Sequence, residues 1–172
     1  MSLKGKSVAI LLEQMYEDIE FWYPYYRFIE TGAKVTVIAP AAKEYQSKHG
    51  YPARADLAAA DARVDEYDAL IIPGGFSPDY MRRSKELIKF ARRAYEQGKI
   101  IAAICHGPWV LVSIGAAGGR KLTAFFSIKD DLINAGAEFV DREVVRDGNV
   151  ITSHTPVDLP AFCKEIIAAL GG

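Results

Sequence analysis

Cysteine is scarce, with two residues, Cys105 and Cys163, in a chain of 172. That number excludes a disulfide-stapled scaffold. Histidine is sparse too: three residues, scattered, with no Cys/His cluster at ligand spacing, so no metal centre is expected. Nothing in the chain calls for a nucleotide or a flavin, and no cofactor is expected. An excess of one charge is also missing, since 21 Lys and Arg oppose 22 Asp and Glu for a formal net charge of −1. With no basic stripe interleaved with aromatics, this balance excludes a nucleic-acid binder. No apolar run is long enough to span a bilayer, so no membrane attachment is expected. The N-terminus lacks the long apolar core of a secretion signal, which predicts a cytoplasmic protein. Repeats, low-complexity tracts and interdomain linkers are missing as well, leaving residues 1–172 as a single expected domain. Cys163 falls in a helical pattern and reads as packing.

What is present is half hydrophobic and a quarter charged, enough for a real core. Apolar runs at Ser7–Leu12, Lys34–Ala39, Asp68–Ile72 and Ile100–Ile104 read as strands buried on both faces. Between them, helical periodicity predicts helices over Ile19–Ile29, with Pro24 in its first turn or kinking it, and over Pro78–Gly98 as one long element. Glu44–Leu57 is polar and predicts a loop or small hairpin. Trp109–Ile114 is amphipathic, Lys121–Ala124 is a short strand candidate, and Ser127–Gly136 a short helix with Ser127 as its N-cap. Glu138–Ser153 alternates and turns at Asp147-Gly148, a hairpin signal, before a terminal helix over Val157–Leu170. Strands alternating with helices predict an α/β domain with a mostly parallel sheet covered on both faces. In such sheets the site lies at the carboxyl ends of the strands.

Three features fall at strand ends. Cys105-His106-Gly107-Pro108 follows a buried strand and opens a helix. This is the plan of a nucleophile elbow, in which a tight turn presents the nucleophile and aims backbone N–H groups at a developing oxyanion. A nearby helix N-terminus predicts a lowered thiol pKa. The competing reading is a small buried apolar cysteine. Pro73-Gly74-Gly75 lets backbone approach a ligand closely. The acidic stretch after the first strand carries Glu13, Glu17 and Glu20, whose spacing puts them on one side of any helix. A protonated carboxyl there would donate to a thiolate, whereas an ionised one would raise the thiol pKa. The plain alternative is that these acids only favour a helix start.

Ala103-Ile-Cys-His-Gly-Pro-Trp109, Pro73-Gly74-Gly75, and Glu17-Asp-Ile-Glu20 followed by Pro24 together resemble the ThiJ/PfpI family, of class I glutamine-amidotransferase-like type. The similarity extends to Lys48-His-Gly-Tyr51, Ser127–Gly136 and Asp147-Gly-Asn149, and points to the PfpI branch of intracellular cysteine peptidases and glyoxalase or deglycase enzymes. The resemblance implies a flavodoxin-like three-layer sandwich with Cys105 as nucleophile and His106 beside it. It implies that Glu20 contacts the cysteine and Glu17 lines the same pocket, with Gly74, Gly75 and the His106-Gly107 turn serving the oxyanion and substrate. It also implies a homo-oligomer, dimer or hexamer, in which Asp79 acts on His106 of a neighbouring copy. A site tyrosine of some relatives is replaced by Phe125, and a residue often basic in relatives by His154, which acquires no role.

The chemistry expected of the pair is thiolate addition to a small reactive aldehyde or a glycated amine, of glyoxalase or deglycase type. Peptide hydrolysis through an acyl-enzyme is the alternative, and oxidation of Cys105 in a redox-sensing stress protein or chaperone a further one.

Overall fold

The computed structural model describes residues 2–172. In chain order the elements are β1 (Ser7–Leu11), α1 (Asp18–Glu30), β2 (Lys34–Ala39), β3 (Glu44–Gln46), β4 (Pro52–Arg54), β5 (Leu57–Ala58), β6 (Ala69–Ile72), α2 (Ser77–Met81) and α3 (Lys85–Glu96). Then follow β7 (Ile100–Ile104), α4 (Pro108–Ile114), β8 (Lys121–Leu122), α5 (Lys129–Asn134), β9 (Glu138–Phe139), β10 (Val144–Asp147), β11 (Val150–Ser153) and α6 (Leu159–Ala169).

Seven strands form one sheet in the order β10-β11-β7-β6-β1-β2-β5, and every pairing is parallel except β10 with β11. Successive side chains point to opposite faces, and this alternation splits the core into two layers. Ala9, Leu11, Leu70, Ile72, Ile101 and Ala103 pack with α3 and α4 on one face. Val8, Ile10, Ala69, Ile71, Ala102 and Ile104 pack with α1 and α6 on the other. Helix α3 buries Leu87, Phe90, Ala91 and Ala94, and α6 buries Leu159, Phe162, Cys163, Ile166 and Ile167. Both are single stripes at helical spacing, each large apolar side chain contributing about 1.5–3 kcal/mol by burial. The result is the α/β sandwich with a mostly parallel sheet expected from the runs. Among the described residues no helix is long and apolar enough to cross a membrane.

The chain moves from β1 outward to β2, then crosses back to β6 on the other side of β1. That reversal falls between the carboxyl ends of β1 and β6, the usual ligand position in such sheets.

Several local expectations are corrected. The long helix over Pro78–Gly98 is two helices, because Ser84 is extended and its Oγ accepts the Leu87 N–H at 3.2 Å, capping α3 afresh. Pro24 lies inside α1, beyond its first turn, and is buried. The strand over Lys121–Ala124 is only Lys121–Leu122, and it pairs with Glu138–Phe139 in a separate ribbon, so the hairpin turning at Gly148 is confined to β10 and β11. The Glu44–Leu57 stretch does form the expected small hairpin, β3–β4, and adds only at β5 an edge strand of the main sheet. Ser127 does not cap α5: Ile128 occupies that position and Ser127 lies in a short 3-10 turn.

Candidate active site

Cys105 follows β7 directly, at φ +60°, one of two non-glycine residues among those described with positive φ. An L-residue in this region costs about 1–2 kcal/mol, and the surrounding backbone holds it there. The Cys105 N–H donates to the Ser153 carbonyl at 3.0 Å, and its own carbonyl accepts the Phe125 N–H at 3.0 Å. The turn tightens at Gly107, where a Cβ would lie 2.5 Å from the Ile72 carbonyl oxygen and 2.8 Å from that of Ile104. Only glycine permits this approach.

The β6–α2 turn closes over the cysteine in the same manner. A Cβ on Gly74 would sit 2.6 Å from Glu20 Oε2 and 2.8 Å from the Cys105 Cβ. Gly75, at φ +72°, brings its backbone so close to the β1–α1 loop that a Cβ would meet the Met15 carbonyl oxygen at 2.5 Å. The Phe76 N–H donates to that carbonyl at 2.9 Å. Met15 is the second non-glycine residue with positive φ, at +62°, and its conformation redirects the chain from β1 into α1.

Glu20 is fully buried in the first turn of α1 and accepts the Gly74 N–H at 2.7 Å through Oε2. Its Oε1 has no hydrogen-bond partner among the described residues, and the carboxyl lies beside Cys105. Burial above all, then the Glu17 charge, push the Glu20 carboxyl up to about 7, against the pull of the Gly74 N–H. Burial likewise, followed by the Glu20 charge, pushes the Cys105 thiol up to about 12, while the Gly75 and His106 N–H groups favour the thiolate. The lowered thiol pKa expected from a helix N-terminus is therefore reversed: loss of solvent and a neighbouring carboxylate outweigh the dipole. The two groups titrate as a pair, and the sulfur ionises readily only while Glu20 keeps its proton.

His106 Nδ1 lies 3.3 Å from Cys105 Sγ. Its ring stacks on Phe125 at 5.3 Å and meets the edge of Trp109 at 5.2 Å. Burial first, then the Lys48 charge, lower its pKa. Glu17 precedes α1 without capping it and forms an ion pair with Lys48. The hairpin loop bearing Lys48 is anchored by Asp18, which accepts from Ser47 Oγ at 2.7 Å and pairs with His49 Nδ1 at 2.6 Å. Burial disfavours the Asp18 charge, but those two hydrogen bonds win and hold its carboxyl below the usual range. Glu17, Asp18 and His49 bring ligand atoms within 4.8 Å of one another. Lys48 on Glu17 and the His49 ring on Asp18 already occupy both carboxylates within the chain.

Of the residues singled out by sequence, Cys105, His106, Glu20, Glu17, Gly74, Gly75 and Gly107 come together. The Gly74 N–H is engaged by Glu20 and that of Gly107 by the Ile104 carbonyl at 2.7 Å, so the backbone donors facing the sulfur are Gly75 and His106. Asp79 stands apart: from α2 it pairs with Arg83, just past that helix, and makes no hydrogen bond to His106 of its own chain. Glu13 lies before the helix and accepts the Gln14 N–H, so it does not share a helix face with Glu17 and Glu20. Two site residues escaped sequence reasoning. Lys48 lies in a motif that carried the resemblance but no role, and Ser127, read as a cap, places its hydroxyl 3.2 Å from His106 Nε2. His154 pairs instead with Asp141 at 3.2 Å and with Asp158 at 3.5 Å.

A family model described as the DJ-1/PfpI family matches residues 6–169. The chain belongs to that family. It is 41% identical to the deglycase PfpI of Pyrococcus furiosus, over 95% of this chain and 98% of the relative. It is 43% identical to a putative cysteine protease, YraA, of Bacillus subtilis, over 96% and 99% of the two chains. The crystal structure of Drosophila melanogaster DJ-1beta superposes with a TM-score of 0.90 at 32% identity, covering 99% of this chain and 91% of the other. Kinship at this level supports a cysteine-dependent enzyme on a flavodoxin-like DJ-1/PfpI fold.

Proposed function

We propose that the protein is a Cys105-dependent enzyme acting on small reactive aldehydes and on amines they have modified, a glyoxalase or deglycase. The observation that carries this reading is the placement of Cys105: strained at φ +60°, only 8% exposed, and set between the Glu20 carboxyl and the N–H groups of Gly75 and His106. A thiol so deep suits a carbonyl at the tip of a small molecule or side chain better than an extended peptide backbone.

With the proton on Glu20, the Cys105 thiolate adds to the aldehyde carbon of a 2-oxoaldehyde, forming a C–S bond. The new oxyanion lies toward the Gly75 and His106 N–H groups and takes the Glu20 proton, giving a hemithioacetal. Glu20, now a carboxylate, removes the proton from that carbon and returns it to the neighbouring one, while the hydroxyl proton passes from the first oxygen to the second. The first carbon is oxidised to a thioester as the second is reduced, so no external redox partner is needed. Water then cleaves the C–S bond, releasing a 2-hydroxy acid and the free thiol. On an amine carrying the aldehyde as a hemiaminal, the thiolate forms the C–S bond as the C–N bond breaks, the Glu20 proton goes to the leaving amine, and the resulting hemithioacetal follows the same course. Lys48 balances the Glu17 charge beside this exchange, limiting how far Glu20 is raised.

The deglycase kinship supports this reading. A second reading, peptide hydrolysis, draws on the putative cysteine protease and on the 3.3 Å approach of His106 to the sulfur. A homo-oligomer and a cytoplasmic setting belong to the proposal. For Asp79 to act across an interface, its carboxylate must accept a second partner beside Arg83.

The test is lactate formation from methylglyoxal by the purified protein beside Cys105→Ala. Turnover lost in the variant supports the proposal. Cys105-dependent degradation of peptides with methylglyoxal untouched replaces it with the peptidase reading.

A further inference from the structure

A cavity of about 330 Å³ lies where the segment from β8 into α5, the end of β9 and the turn after β11 meet. Small-molecule sites span about 300–1,000 Å³, and this one is at the lower end. Phe125, Phe126 and Phe139 give it aromatic walls, and Lys129, Asp141 and His154 line it with polar groups. Cys105, Glu20 and Glu17 take no part in it. Phe125 is the one link to the nucleophile, since its ring stacks on His106 at 5.3 Å.

The two charged groups of this cavity are poorly matched among the described residues. The Lys129 ammonium makes no ion pair there and lies over the Phe139 ring, 5.5 Å from its centroid. Asp141 is exposed, and its carboxylate accepts no hydrogen bond: His154 Nε2 stands 3.2 Å away but out of line for one. His154 Nδ1 faces Asp158 at 3.5 Å. Asp158 already accepts from the Thr155 N–H and hydroxyl, capping the turn before α6, and so leaves Asp141 to the cavity.

Aromatic walls with one ammonium and one carboxylate suit a ligand that carries an apolar body and one charge of each sign. A simple carboxylic acid would gain Lys129 and be repelled by Asp141, and a simple amine the reverse. We infer that this cavity binds a free aromatic α-amino acid, its carboxylate on Lys129, its ammonium on Asp141 and its ring against Phe126 and Phe139. Two charge-assisted hydrogen bonds of opposite polarity fix the orientation, and ring packing adds apolar contact. Such a ligand is also an amine that reactive aldehydes modify, and the Phe125 wall sets it beside His106. That further role rests on the aldehyde reading; the binding does not.

Calorimetric titration of the full chain with phenylalanine, with hydrocinnamate, which lacks the ammonium, and with phenethylamine, which lacks the carboxylate, tests the inference. Saturable binding of phenylalanine is expected, with the other two each about tenfold weaker. Lys129→Gln and Asp141→Asn change exposed residues, which leaves the fold intact, and each is expected to weaken phenylalanine about tenfold. In Lys129→Gln the ligand carboxylate should cease to matter, so that phenylalanine and phenethylamine bind alike. In Asp141→Asn phenylalanine and hydrocinnamate should bind alike. Cys105→Ala is expected to bind phenylalanine as the wild type does, which separates this site from the nucleophile. The inference is overturned by the absence of saturable phenylalanine binding, or by either single-charge probe matching phenylalanine on the wild type. Binding that survives both charge substitutions but is lost in Cys105→Ala overturns it as well. A wild type without methylglyoxal turnover strikes the aldehyde reading, and the titrations then decide this site by themselves.

Discussion

Burial pushes the thiols of Cys105 and Cys163 up to the same value, about 12. Around Cys163, in the middle of α6, the remaining influence is Arg27, and the sulfur packs among Leu159, Phe162, Ile166 and the α1 side of the core. Around Cys105 stand a buried carboxyl with a free oxygen, two backbone N–H groups, an imidazole and a backbone strained to φ +60°. Depth alone therefore separates neither cysteine from an inert packing residue. What distinguishes Cys105 is the titratable Glu20 carboxyl and His106 ring beside it, whereas burial and Arg27 alone act on Cys163.

The sharpest way to break this comparison is to remove each sulfur. Cys105→Ala is expected to reduce methylglyoxal turnover by at least about a thousandfold, to background, as loss of a nucleophile does. Equal loss in Cys163→Ala would erase the distinction.

The next largest effect is expected from the backbone that shapes the Cys105 side. Gly75→Ala puts a Cβ 2.5–2.9 Å from the Met15, Tyr16 and Glu17 backbone and forces an L-residue to φ +72°. Urea denaturation should show a loss of roughly 2–4 kcal/mol, with activity lost as the acidic loop is displaced. A variant of native stability and activity would mean that the loop does not depend on this contact.

Glu20 gives the comparison a pH axis. Its folded pKa, raised to about 7 from an ordinary 4.5, means that the native state binds the extra proton between those values. Stability contributed by Glu20 is therefore present at low pH and falls as pH rises through that window, by on the order of 3 kcal/mol. His106, whose pKa is lowered, acts in the opposite sense, losing stability as pH falls below its ordinary value. Subtracting the profile of Glu20→Gln from that of the wild type isolates the carboxyl. The difference should flatten above pH about 7, and a difference with no slope would show that Glu20 is not held neutral. No comparable change is expected around Cys163, which has no carboxylate beside it.

The smallest effect is expected from Cys163→Ala, which removes one buried sulfur and leaves a small void. Melting should report a cost of about 1–2 kcal/mol, with turnover within about twofold of the wild type.

Much of the architecture was legible in the residues. The Ile100–Ile104 run, buried on both faces, announced a central parallel strand, and Cys-His-Gly-Pro after it announced a sharp turn into a helix. Ser84 shows the limit: within a helix-like pattern it is equally a cap, and only its extended backbone and the bond to Leu87 decide between the two. Ser127 shows the converse. It reads as a cap by position, yet its hydroxyl serves a ring 21 residues away.

By itself the sequence determined the layers and the strand ends at which Cys105 and Gly74-Gly75 lie. Those properties depend on apolar periodicity and turn residues, which act over a few consecutive positions. Only the tertiary structure decided that Glu20 would be sealed against Gly74, 54 residues on, that Lys48 would face the site, and that the Cys105 thiol would be raised rather than lowered. Proton affinities and hydrogen-bond partners follow from solvent exclusion and from charges a few ångströms distant in space, and no local pattern of residues encodes those distances.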